Sequence, residues 1–158
     1  MTKAKNNRKP RTADLVDPHD LYQQSVQGVE FELDFVHDTF KQIRGRKPYS
    51  IREDFCGTAA SACDWVTRDR RNSAVGVDND PDVLAWGYEN NVAPLTQAQK
   101  GRIELLPEDV LEVDAGQFDV IQAFNFSYWF FQERATMKQY FESIHRALVA
   151  DGVAFFDA

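Results

Sequence analysis

Residues 49–64, YSIREDFCGTAASACD, place the tightest limit on how this chain can fold. A strand-like run ends in two carboxylates, Glu53 and Asp54. A turn follows, Phe55-Cys56-Gly57-Thr58, and then an Ala-rich segment from Ala59 to Trp65 with the composition of a helix start. Strand, glycine turn and helix, in that order, build a ligand crevice at the strand ends of an open α/β sheet. Gly57 lacks a Cβ, so its backbone can take a positive φ or let a ligand approach closely. Thr58 is placed to cap the helix, whose free N–H groups would point into the crevice. Asp78 closes the apolar run Ala74-Val75-Gly76-Val77. A carboxylate about 20 residues past the glycine turn is where this architecture hydrogen-bonds a ribose.

The rest of the chain repeats the strand–helix alternation. Asp17-Pro18 reads as an N-cap followed by proline at the first helical position, opening a short helix to about Val26. Val29, Leu33, Val36 and Phe40 recur at helical spacing, with Phe31 and Phe35 widening that face, and the helix ends near Arg44-Gly45. Strand one is expected over 49–54, the first crossover helix over 58–69 and strand two over 73–78. Asp80-Pro81 opens a helix over 81–91, and strand three spans 102–106. Strand four spans 118–124, a long helix 132–149 and strand five 153–157. Five strands alternating with helices imply a parallel sheet with right-handed crossovers. The first 16 residues are polar and basic and read as a disordered arm, leaving 17–158 as one domain.

Arg52-Glu53-Asp54 is unusual for a central strand, which normally reads as continuous apolar residues. Pleating puts Arg52 and Asp54 on one face and Glu53 on the other. Unpaired buried charge is costly. Arg52 is therefore expected to pair with a carboxylate, Asp54 being one candidate, which leaves Glu53 for a ligand.

Charge and composition exclude several classes. The net charge is −7, and five cations with no acid lie in the first twelve residues, so the remainder carries −12. A body that acidic argues against a broad nucleic-acid-binding face. No apolar run approaches the ~20 residues of a membrane helix, and no secretory signal is visible. The two cysteines, Cys56 and Cys63, lack partners at metal-ligand spacing and read as reduced, buried thiols of a cytoplasmic protein. His19, His37 and His145 sit on expected helices without ligand pairs, so no metal site is assigned. The turn CGTAAS lacks the GxGxxG pattern that admits a pyrophosphate, and no GxxxxGK[ST] occurs.

The segment around Gly57 resembles the first motif of class I S-adenosylmethionine-dependent methyltransferases. It also resembles an uncharacterised bacterial subgroup carrying the DFCGTA form. In that register Glu53 takes the acidic place, and Phe55, Gly57 and Ala59 fall where three glycines are usual. The resemblance runs from about residue 17 to the end. It implies a Rossmann-like sheet of order 3-2-1-4-5 with N-terminal helices over the cofactor pocket. The helix and antiparallel hairpin that normally follow strand five are absent from this sequence. A further segment beyond Ala158, or a second copy forming a homodimer, is the expected cover for strand five.

The resemblance implies S-adenosylmethionine as cofactor. Its ribose would meet Asp78, with Asn79 framing the adenosine, and its ammonium group would meet Glu53. The turn Phe55, Cys56, Gly57 and Thr58 would hold the amino-acid end. Asp109 would meet the adenine amino group, with Val110 against the ring. Asn125-Phe126-Ser127-Tyr128 loosely resembles the NPPY-type motif of amino-group methyltransferases, although both prolines are missing. Asn125 is thereby placed at the cofactor, and Phe126 and Tyr128 at the acceptor. Tyr22 and Gln24 on the N-terminal helix are further pocket candidates. Trp129, Phe130 and Phe131 read as core and helix-start packing. Two functions follow: methyl transfer to an unidentified small-molecule or side-chain acceptor without an assigned base, or a cofactor-binding module without turnover.

Overall fold

The computed structural model describes residues 16–26 and 28–157. Of the expected basic arm over 1–16, all but Val16 lies outside the described residues. Two helices come first, α1 (Pro18–Val26) and α2 (Val29–Arg44). Alternation then runs β1 (Ser50–Asp54), α3 (Ala60–Arg68), β2 (Ser73–Val77) and α4 (Pro81–Gly87). A π turn over Tyr88–Val92, a short α5 (Gln97–Lys100) and β3 (Ile103–Leu106) follow. The chain then forms β4 (Phe118–Ala123), a 3-10 turn over Ser127–Phe130, α6 (Arg134–Ala147) and β5 (Leu148–Phe156). All four strand pairings are parallel, and the order is β3-β2-β1-β4-β5, as expected.

Each helix sits where its apolar stripe demands. In α2, Leu33, Val36 and Phe40 are fully buried, each contributing roughly 1.5–3 kcal/mol on leaving water. Gly45 ends α2 at φ 70° and returns its N–H to the Lys41 carbonyl, the left-handed termination that glycine allows without strain. Ile51, Ala74 and Val120 pack beneath α2 and α3 on one face of the sheet. Val77, Ile121, Tyr140 and Ile144 form a second core with α6 on the other. Asp80 caps α4 by accepting from the Asp82 and Val83 N–H groups, with Pro81 at the first helical position.

Some expectations need correction. Phe31 does not widen the buried face of α2; it is 78% exposed, and Phe35 only reaches Phe155 edge-on at 6.1 Å. Trp129 and Phe130 are not core either, being 60% and 80% exposed, whereas Phe131 is buried. The 3-10 turn rotates successive side chains by about a third of a circle, so it cannot bury three in a row. β5 starts five residues earlier than expected because Leu148 already pairs with Phe118 of β4, ahead of a register irregularity between Phe118 and Val120. No described helix is long and apolar enough to cross a membrane.

Arg52 and Asp54 do pair, inside the protein. Both side chains are fully buried on the α6 face, with Arg52 Nε 2.7 Å from Asp54 Oδ1 and Nη2 donating to Oδ2 at 3.0 Å. Tyr140 of α6 adds a hydroxyl donor to the same Oδ2 at 2.9 Å. Arg52 Nη1 has no acceptor, and the close Nε–Oδ1 approach lacks hydrogen-bond geometry, so the pair is coulombically matched but not saturated with hydrogen bonds. Breaking a buried pair leaves an uncompensated charge, whereas replacing both members can be close to neutral. Arg52→Met is therefore expected to cost about 3–5 kcal/mol in urea unfolding. Adding Asp54→Leu should recover most of that loss, and strictly additive losses would show that the two side chains are not coupled.

Candidate functional site

The C-terminal ends of β1, β2 and β4 meet in one region, and the backbone there is unusual. Phe55, Gly57 and Ala59 all have positive φ, at 57°, 52° and 56°. These are the three positions where the sequence register places glycines. The left-handed turn is thus kept with side chains that pay for it, at roughly 1–2 kcal/mol for each non-glycine residue. Packing offsets the strain: the Phe55 ring lies 5.8 Å from both Phe131 and Tyr140, and Ala59 is fully buried. At the tip of β4, Asn125 and Phe126 are also left-handed, at 58° and 57°. Such conformations gather at ligand sites, where the surrounding structure enforces them.

Thr58 does not cap α3. The N-cap is Ala59, with no side-chain cap bond, and the Thr58 hydroxyl instead donates to Gln23 of α1 at 2.9 Å. A left-handed residue between Thr58 and the helix swings that hydroxyl away from the first turn. Asn91 of the π turn donates to both the Thr58 carbonyl and Gln23, at 2.8 and 2.9 Å. Gly87 lets α4 approach this carbonyl: a Cβ there would lie 2.5 Å from Thr58 O. Asp17 accepts from the Trp86 indole N–H at 2.8 Å and completes the seating of α1.

Asp78 joins the tip of β2 to the turn. Its Oδ2 accepts from the Gly57 N–H at 2.8 Å and its Oδ1 from the Asp80 N–H at 3.0 Å. Beside it a hollow of about 50 Å³ is lined by Phe55, Asp78, Asn79, Glu108, Asp109, Val110, Phe130 and Phe131. Asp109 braces its own loop by accepting from the Leu111 N–H at 2.9 Å, and Val110 is buried in the α6-side core.

A second hollow of about 50 Å³ lies across Phe55. Tyr22, Glu32, Glu53, Cys56, Gly57, Ser61, Asn125 and Ser127 line it with their neighbours. Glu53 faces α3, where its Oε2 accepts from the Ala62 N–H at 3.0 Å. Burial pushes its carboxyl up to about 8, with help from the charges of Glu32, Asp78 and Asp54 and against the Ala62 hydrogen bond. Burial also raises Glu32, and Asp157 adds to it. Asp157 accepts from the Phe126 N–H at 2.9 Å, holding the β4 tip. Burial first, and then nearby carboxylates, push the Cys56 and Cys63 thiols up, Cys63 to about 12. Both are free thiols held protonated and therefore poor nucleophiles.

The structure thus gathers Glu53, Phe55, Cys56, Gly57, Asp78, Asn79, Asp109, Val110, Asn125 and Tyr22 around two hollows that meet at Phe55. Thr58 supports them from behind. Phe126 is exposed beside them, and Tyr128 is turned away against Phe156 and Phe141. Gln24 hydrogen-bonds Asp20 within α1 and lines a separate surface cleft. Glu32, Gln23 and Asp157 were not anticipated. Glu32 had a signal, since it falls three residues after Val29 and four before Val36, on the apolar stripe. A larger cavity of about 270 Å³ lies at the opposite strand ends, between Lys47, Tyr49, Trp65 and Asn72, and contains none of these residues. Among the described residues no group of His, Cys, Asp or Glu is arranged to hold a metal.

Residues 54–156 match the family described as methyltransferase domain. Similar solved structures include an amino pentose methyltransferase from Micromonospora echinaspora, at 18% identity and a TM-score of 0.70. A sugar N-methyltransferase from a Streptoalloteichus species is 20% identical, also at 0.70. An S-adenosylmethionine-dependent methyltransferase from Clostridium acetobutylicum is 16% identical at 0.72. They cover 97%, 99% and 87% of this chain, which spans only 58%, 57% and 55% of theirs. No curated protein is similar enough in sequence to count as a relative.

Two glycines separate strain from collision. Gly57→Ala adds a Cβ that meets nothing within 4 Å but sits at φ 52°, so about 1–2 kcal/mol of stability should be lost. Gly87→Ala drives a Cβ into backbone and should cost more, about 1–3 kcal/mol or above, by urea midpoints of the two variants. Equal losses would show that the close approach of α4 is not rigid.

Proposed function

This chain belongs to the methyltransferase domain family, and on that premise we propose that it binds S-adenosylmethionine across the tips of β1, β2 and β4 and transfers a methyl group to an acceptor. The observation that carries this reading is the state of the Asp78 carboxylate. Each oxygen spends one acceptor site on a backbone N–H, from Gly57 and from Asp80. A carboxylate offers about four such sites, so two are left, the number a ribose diol uses. Gly57 presents open space on its Cβ side, so the cofactor backbone can lie close to the turn.

The other residues fit the remaining parts of the molecule. Glu53 would receive the ammonium group, with the turn from Phe55 to Thr58 along the amino-acid end. Asp109 would accept from the adenine amino group, with Asn79 and Val110 framing the ring. An acid-lined crevice also disfavours a pyrophosphate and favours a cationic cofactor. When bound, S-adenosylmethionine supplies a methyl group on a positively charged sulfur. This chain's residues contribute binding and orientation, which is most of what such a displacement requires.

Asn125 lines the Glu53 hollow and Phe126 stands exposed beside it, so the acceptor would approach along the β4 tip. Two of the similar structures are named for amino sugars or sugar N-methylation, which makes an amino group the first acceptor to try. The exposed Trp129 and Phe130 offer a surface that a second copy or further chain would cover. The two free thiols suit a cytoplasmic location.

Calorimetry with S-adenosylmethionine and S-adenosylhomocysteine measures binding, and methyl release over amino and hydroxyl acceptors measures turnover. Charge-assisted hydrogen bonds are worth roughly 1.5–3 kcal/mol, so Asp78→Ala should weaken both ligands by about 10- to 100-fold. Unchanged affinity would place the cofactor elsewhere. Binding without methyl release from any acceptor would identify a binding module.

A further inference from the structure

Glu53 occupies a position that its neighbours make hard to ionise. It stands beside Gly76 of β2 and Gln122 of β4 in the sheet register, on the face covered by α3. From α2 it meets Glu32, and from the β2 tip Asp78. Asp54 lies behind it on its own strand, and Asp157 at the end of β5 faces Glu32. Tyr22 of α1, Cys56 of the turn and Ser61 of α3 complete the wall. Arg52 is the cation next along the strand, but it points to the opposite face and is committed to Asp54. Among the described residues Glu32, Glu53 and Asp157 form no ion pair.

Gln122 supplies an independent observation. Its Nε2 donates to Ser61 Oγ at 2.6 Å, yet its Oε1 is buried with no partner. Orphaned buried acceptors are rare and call for a cause. Parallel neighbours in register project to the same side of a sheet, so Gln122 and Glu53 leave β4 and β1 on the same face, toward α3. In this amide orientation a carboxylic acid at Glu53 would have the O–H donor that Gln122 Oε1 lacks, and in the flipped orientation the Gln122 N–H would instead face a carboxylate.

We propose that this hollow is a proton-for-cation exchange site, in which Glu53 gives up a proton to solvent as the cofactor's ammonium group takes its place against the carboxylate. The inference rests on the S-adenosylmethionine reading and adds a linkage to it. The exchange is balanced: the O–H bond of Glu53 breaks, its electron pair stays on the carboxylate, and water or buffer takes the proton. With the carboxyl raised to about 8 by burial and the surrounding acids, the empty site at pH 7 holds its proton. A cation against the carboxylate reverses that preference. Every binding event then carries a proton out, and affinity rises with pH until the empty site is itself ionised.

Titration calorimetry of the full chain in buffers of different ionisation enthalpy counts this proton directly. S-Adenosylhomocysteine keeps the ammonium group, whereas 5′-methylthioadenosine keeps the nucleoside and lacks the amino-acid end. At pH 6.5–7, S-adenosylhomocysteine should release close to one proton per molecule bound, and methylthioadenosine close to none. The affinity for S-adenosylhomocysteine should rise about tenfold per pH unit from 6 to near 8, and that for methylthioadenosine should stay flat. Binding of S-adenosylhomocysteine with no proton release and a flat pH profile overturns the proposal and leaves the cofactor site standing. Equal release by both ligands also overturns it, by separating the proton from the ammonium group. Failure of both compounds to bind at any pH overturns the cofactor reading itself.

Discussion

Three consecutive charged residues lie in the middle strand of a parallel sheet, and the pleat decides what becomes of them. Arg52 and Asp54 share one face and neutralise each other under α6, with the Tyr140 hydroxyl as a third member. Glu53 is left alone on the other face, one hydrogen bond from the start of α3. Without Arg52, Asp54 would be a second buried acid behind Glu53 with no cation to match it, and burial would press both toward the protonated form. With it, the strand can bring a lone acid to its tip and still be buried on both sides. The site is therefore a consequence of how the strand solves its own electrostatics.

The turn after β1 shows a second compromise. Left-handed residues at Phe55, Gly57 and Ala59 are enforced from several directions. Asp78 holds the Gly57 N–H, and Val77 accepts from the Cys56 N–H at 3.0 Å. Gly76 leaves room for the Cys56 side chain, since a Cβ there would come within 2.9 Å of the sulfur. The Phe55 ring anchors one end of the turn, and the Gln23–Thr58–Asn91 network holds the other. A turn over-determined in this way keeps its shape without glycine at every left-handed position. The same contacts tie α1 to the site, so the N-terminal helix is part of the crevice wall and not an appendage.

The two sides of the crevice differ in character. Toward β2 and the loop after β3, Asp78, Asn79, Asp109 and Val110 line a small hollow together with the rings of Phe55, Phe130 and Phe131. Toward β4, the surface opens into Phe126 and Trp129, both exposed. The first side is built from strand tips within one sheet, which hold their spacing rigidly. The second is a short 3-10 turn on an exposed edge, where less is fixed.

Much of this architecture was legible in the residues. Strand order, all five strands, both proline-led helix starts and the Arg52–Asp54 pairing follow from periodicity, turn chemistry, the cost of buried charge and the family resemblance. The carboxylates at 53 and 78 were legible for a related reason: strand ends are punctuated by turn residues, so an acid at such an end can be located by counting, whereas Asp109 was singled out by the family resemblance. What the chain did not disclose depends on contacts between distant segments. Thr58 looks like a cap until Ala59 turns left-handed and Gln23 arrives from 35 residues away. Phe31, Trp129 and Phe130 look like core until the sheet shows where it has faces to cover. Glu32 and Asp157 approach only because α2 crosses the end of β5, and Gln122 is left with an unpartnered Oε1 only in the packed core, where its amide N–H meets Ser61. Local pattern determines which elements form, because periodicity and capping act over a few residues. Only the packed structure decides which polar atoms are left facing one another, because that depends on which elements the sheet order makes neighbours.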